Sequence, residues 1–134
     1  MERLSEQNLN TAKEYDGIFS ARSLQEPNWA DIRRWKKLLR YFHGGLLLDA
    51  GCLDSLVNEY ALKKHRCWVT GLDISEQTVR RRNKTKPDGS MFHTGDLFTS
   101  PIISEYQYDY IVAGELLEHL ESPANAVKRL CGAL

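Results

Sequence analysis

Cysteine is scarce: Cys52, Cys67 and Cys131 stand far apart among 134 residues, with no C-x-x-C pair. An odd, scattered set argues against a disulfide framework or a cysteine zinc site and for reduced thiols. Net charge is absent too, with 18 Lys and Arg against 18 Asp and Glu. A neutral chain has no general field for capturing nucleic acid or an anionic membrane. Long apolar runs are also missing. None approaches the roughly 20 residues that cross a bilayer, and the polar start MERLSEQNLNTAKEYDG is unlike a secretory signal. The expected setting is the cytoplasm, with no membrane partner and none indicated among nucleic acids. With no repeat, low-complexity tract or linker, one domain is expected at residues 28–134, behind a polar lead-in or lid at residues 1–27 that includes Tyr15.

What is present is alternation. From Asn28, the residues Ile32, Trp35, Leu38, Leu39 and Phe42 recur at helical spacing. Arg33, Arg34, Lys36 and Lys37 fall between them as a wet face, Trp29 and Trp35 suit the packed face, and Gly44-Gly45 ends the run. Leu46-Leu47-Leu48 then reads as a strand buried on both sides. A second helical stripe runs through Leu56, Val57, Tyr60 and Ala61 to Lys63-Lys64-His65. Residues 68–74 form a second strand, followed by a helix capped by Ser75, whose Arg80-Arg81-Arg82 run reads as a solvated helix end. Met91 to Thr94 is a third strand. A loop holding Pro101 leads to a fourth at residues 108–114, and Ser122-Pro123 opens a last helix. This order predicts an α/β fold with a mostly parallel sheet, whose ligands bind at the carboxyl ends of the strands.

Every one of those ends carries an acid: Asp49, Asp73, Asp96 and Glu115. Gly51 lets backbone approach a ligand that a Cβ would exclude. Asp73, some twenty residues beyond that turn, is placed to accept from a ribose diol. Asp96 can receive an exocyclic amine, with Ile74 and Leu97 on either side of an adenine ring. A carboxylate cluster repels phosphate, so the expected ligand is a nucleoside without a phosphate chain, preferably cationic.

"LLLDAGC", "VTGLDIS", "HTGDLF" and "YDYIVAGELLEHLESP" together resemble, in order and spacing, the motifs of class I S-adenosylmethionine-dependent methyltransferases. The resemblance covers roughly Leu46 to Leu134 and implies a Rossmann-like three-layer sandwich. It implies that Asp49, Ala50, Gly51 and Cys52 line the methionine side of S-adenosylmethionine. Asp73 and Ile74 then serve the ribose and adenine, Asp96 and Leu97 the adenine, and Glu115 borders the reaction centre. Glu115 and His119 become the candidate proton acceptors for an unidentified methyl acceptor, such as a hydroxyl oxygen.

In some relatives that methylate hydroxyl groups, a similar E-x-x-E-H segment holds a magnesium-type ion. That makes Glu115, Glu118 and His119 candidate ligands, on one face of a helical turn. The commoner role of the segment is to shape the pocket floor.

Two departures stand out. Leu53 and Ser55 replace glycines usual in the first motif, although Asp54 or Ser55 can cap the next helix. The family sheet has seven strands and only four are expected here, so a missing segment or a partner is expected to complete it along the fourth strand. The rival readings are a non-catalytic cofactor-binding or assembly module, and an NAD-dependent oxidoreductase whose pyrophosphate the substituted turn would not admit.

Overall fold

The computed structural model describes residues 29–52, 57–114 and 116–134. The lead-in with Tyr15, Leu53 to Leu56, and Glu115 lie outside the described residues. Four parallel strands, β1 (Leu46–Ala50), β2 (Trp68–Asp73), β3 (Ser90–Thr94) and β4 (Tyr110–Val112), form one sheet in the order β3-β2-β1-β4. Leu48 pairs with Thr70 on one side and with Ile111 on the other, so β1 is central. That position explains its apolar run. Leu47 and Leu48 are both fully buried although their side chains leave opposite faces of the sheet.

Each face packs its own layer of helices. Leu47, Val69 and Val112 meet Trp35 and Leu39 of α1 (Trp29–Leu39) and Ala61 of α2 (Val57–His65). Leu48, Ala50 and Leu72 meet Ile103 of α4 (Pro101–Glu105) together with Ala126 and Leu130 of α5 (Pro123–Cys131). The result is the expected three-layer α/β sandwich, built on a Rossmann-like sheet that is incomplete relative to the seven-stranded fold.

Helix α3 (Glu76–Thr85) begins as its sequence predicts, with the Ser75 hydroxyl accepting the Thr78 N–H at 3.2 Å. Ser122 holds the corresponding position before α5 without a side-chain cap bond.

Four expectations are corrected. The Arg80-Arg81-Arg82 run is not uniformly solvated: Arg80 pairs with Glu76 at the surface, whereas Arg82 is 1% exposed. Arg82 lies three residues beyond Val79, on the stripe of α3 that faces the sheet, and position on the helix outweighs residue type. In α1, Trp35 is buried but Trp29 and Leu38 are exposed, because the buried stripe runs through Trp35 and Leu39. The segment around Pro101 is the short helix α4, opened by Ser100-Pro101 just as α5 is opened by Ser122-Pro123. β4 spans three residues rather than seven. On its amino-terminal side the Tyr108 N–H turns to Ala133 O at 2.8 Å, while Asp109 still bonds β1, its N–H donating to Leu46 O at 2.9 Å and its carboxylate accepting the Leu46 N–H at 2.7 Å.

Candidate functional site

The carboxyl ends of β1, β2 and β3 converge on one edge of the sheet. Asp49 and Asp73 are 3% and 5% exposed, and Asp96 is fully buried. β1 leaves the sheet through Gly51 at φ +71°, a left-handed conformation that favours glycine. The Gly51 and Cys52 N–H groups both donate to Leu72 O, at 2.7 and 3.1 Å, folding the turn over the end of β2. A Cβ on Gly51 would stand 3.0 Å from Leu116 Cδ1, so the chain after β4 closes directly on this turn.

Asp73 is held by its own turn, its Oδ1 accepting the Ser75 N–H at 2.9 Å. Its carbonyl accepts the Gly95 N–H at 2.8 Å, which brings the end of β3 beside it. Asp96 Oδ1 accepts the Phe98 N–H at 2.7 Å, and Asp96 O accepts the Ser100 N–H at 2.8 Å. These bonds orient the Asp73 and Asp96 carboxylates locally.

The remaining predicted residues take distinct places. Ile74 is half-buried beside Asp73, whereas Ala50 and Leu97 belong to the core beneath the site. The Cys52 thiol is pushed well up, by burial first and then by the charges of Asp73 and Asp49, while Arg82 acts the other way. A thiol so disfavoured as thiolate is a packing group here, not a nucleophile.

Glu118 and His119 are exposed in a tight turn at Leu117–His119. That turn is a 3-10 helix of about three residues per turn, so residues four apart do not share a face as they would in an α-helix. Glu115, the other member of that set, lies outside the described residues. Among the described residues no three His, Cys, Asp or Glu side chains gather as a metal site.

Two residues escape a motif-based reading. Arg129 of α5 donates from Nε to Leu97 O at 2.7 Å and from Nη2 to Ser100 O at 3.2 Å, tying the loop after β3 to the last helix. Nothing local to Arg129 foretells a contact 32 residues back. Arg82 is the other, and its helical spacing from Val79 was the available signal.

The edge therefore offers buried acceptors and one close-approach glycine turn. That set fits a nucleoside carrying positive charge better than a dinucleotide.

Residues 48–134 match the family model described as "Methyltransferase domain". The chain is 31% identical to a ubiquinone biosynthesis O-methyltransferase of Coxiella burnetii, over 98% of this chain and 60% of that protein. The chain thus spans about three fifths of the length of that curated relative. Among solved structures, it resembles coclaurine N-methyltransferase bound to N-methylheliamine and SAH, with TM-score 0.68 and 18% identity over 82% of this chain and 34% of that one. It also resembles the 4+2 cyclase SpnF, with TM-score 0.72 and 16% identity over 97% of this chain and 58% of that one. These two likenesses establish shared fold.

Proposed function

The chain belongs to the class I S-adenosylmethionine-dependent methyltransferase family, and from that premise we propose that it binds this cofactor at the carboxyl ends of β1 to β3 and serves methyl transfer to a hydroxyl oxygen. The observation that carries the reading is the set of buried acids, Asp49, Asp73 and Asp96, at the strand ends beside the Gly51 turn. The likeness to ubiquinone biosynthesis O-methyltransferases supports an oxygen acceptor, on a precursor in that biosynthesis.

When bound, S-adenosylmethionine supplies a methyl group activated on a sulfonium. The protein's work is to align and to accept. Asp73 takes the ribose hydroxyls, with Ile74 beside it. Asp96 takes the adenine amine, with Leu97 supporting it from the core. Asp49, Ala50, Gly51 and Cys52 line the methionine side, where the negative charge of Asp49 suits a cationic ligand. Glu115 or His119 is assigned to the acceptor side, where one of the two would take the hydroxyl proton as the oxygen–carbon bond forms and the sulfur–carbon bond breaks.

Calorimetric titration with S-adenosylhomocysteine tests the pocket. Saturable one-to-one binding is expected, weakened by about 100-fold in Asp73→Ala, since loss of a charged hydrogen-bond acceptor costs about 1.5–3 kcal/mol. Unchanged affinity in that variant, or no binding by the folded parent, overturns the assignment. Methyl transfer to a phenolic precursor, followed by mass spectrometry, tests the acceptor class separately.

A further inference from the structure

The buried stripe that runs along α5 and just past its end holds Ala126, Leu130 and Ala133. Arg129 stands on that same stripe, one turn after Ala126 and one turn before Ala133, and is half-buried, whereas Lys128 beside it is exposed. A guanidinium placed there is costly unless its donors find acceptors. Two of them find backbone, Nε donating to Leu97 O at 2.7 Å and Nη2 to Ser100 O at 3.2 Å.

Both carbonyls belong to a single turn, which Asp96 opens. Asp96 O accepts the N–H groups of Thr99 and Ser100, at 3.2 and 2.8 Å, and Asp96 Oδ1 accepts the Phe98 N–H at 2.7 Å. The direction of the Asp96 carboxylate is therefore tied to the shape of the turn. Its two ends pack closely: a Cβ on Gly95 would stand 3.1 Å from Ser100 Oγ, and the Gly95 N–H donates to Asp73 O at 2.8 Å. The sheet thus fixes the near side of the turn, and Arg129 holds the far side from another element. A planar guanidinium presents its donors in a fixed fork and reaches two carbonyls at once, where a lysine ammonium is a compact point charge.

We propose that Arg129 is a positioning residue of the cofactor pocket. By clamping the carbonyls of Leu97 and Ser100, it holds the Asp96 turn in the shape that selects adenine over a base lacking the exocyclic amine. The proposal deepens the cofactor reading and rests on it. Arg129 acts through backbone, without touching ligand.

The test compares the parent chain, Arg129→Met and Arg129→Lys in two measurements. The first is the ratio of affinities for S-adenosylhomocysteine and S-inosylhomocysteine, which carries a carbonyl oxygen where adenine carries its amine. The second is backbone amide hydrogen exchange at Phe98 and Ser100 without ligand. The parent should prefer the adenosyl ligand by about tenfold or more, the worth of a hydrogen bond to a charged acceptor. Arg129→Met should cut that preference by about threefold or more, because a displaced acceptor weakens the adenosyl ligand selectively. The same variant should exchange the Phe98 and Ser100 amides about fivefold faster or more. Arg129→Lys, which keeps the charge without the fork, should fall between the two in both readouts.

An equal loss of affinity for both ligands overturns the proposal, since that is the behaviour of a residue that only stabilises the fold. Unchanged exchange at both amides overturns it as well, and so does a parent that binds both ligands equally. If the parent binds neither ligand, the cofactor reading fails, and the exchange rates alone decide whether Arg129 holds the Asp96 turn. If Arg129→Met does not fold, Arg129→Lys decides, and parental values for both readouts in that variant overturn the proposal.

Discussion

Asp49 and Asp73 set the character of the residues around them. Cys52 is held as a thiol first by its own burial and then by the negative charges of Asp73 and Asp49. Cys67 is raised as well, by burial and then by Asp109, while Cys131 is exposed. Because a raised thiol midpoint means less thiolate at any given pH below it, alkylation of the folded chain by iodoacetamide near neutral pH should label Cys131 first. Cys52 and Cys67 should react only on unfolding. Peptide mass spectrometry of a time course reads this directly, and rapid labelling of Cys52 in the folded chain contradicts the packing described for the turn.

At the scale of elements, α3 does more than cover the sheet. The Asn83 amide donates to Phe92 O at 2.8 Å and its oxygen accepts the Phe92 N–H at 3.2 Å. One side chain thereby imitates a neighbouring strand along the open edge of β3, and Lys86 adds a bond to Ser90 O at 2.9 Å. Unpaired strand edges invite association, and a paired polar side chain blunts them. Asn83→Ala should lower stability by about 1–2 kcal/mol, read as a reduced urea midpoint with little change in slope. An unchanged midpoint means that water satisfies that edge equally well.

Helices α3, α4 and α5 also show what local pattern can and cannot convey. The cap at Ser75 was legible because it is a bond between near neighbours. So was the Ser-Pro start of α5, and the same signal at Ser100-Pro101 marks α4. Burial of Arg82 was not legible from its type, since a run of basic residues near a helix end usually faces water.

For the molecule as a whole, the four-stranded sheet meets the α4–α5 layer near Tyr108, whose hydroxyl donates to Ile102 O at 2.9 Å. Burial, and to a lesser degree neighbouring Tyr106, pushes the Tyr108 hydroxyl up to about 12. An unfolded tyrosine titrates near about 10. The folded state thus holds this proton more tightly, so its contribution is fully present below about pH 10 and is lost as pH rises through the folded value of about 12. Urea midpoints measured across that alkaline range should fall more steeply for the parent than for Tyr108→Phe. The variant also loses about 1 kcal/mol at neutral pH through the missing hydrogen bond. Parallel curves would remove Tyr108 from the alkaline limb.

The order of strands and helices, the central place of Leu46 to Leu48 and the acids at Asp49, Asp73 and Asp96 were all determined by the sequence alone. Each follows from periodicity, caps and turns, which are interactions between residues close in the chain. Tertiary structure alone decided that Leu97 lies in the core while Ile74 is half-buried, and that Arg129 anchors the loop after β3. It also decided that Arg82 is buried with its guanidinium over the Phe92 ring. Those outcomes depend on which surfaces meet across distant segments, and burial is a property of the packed whole.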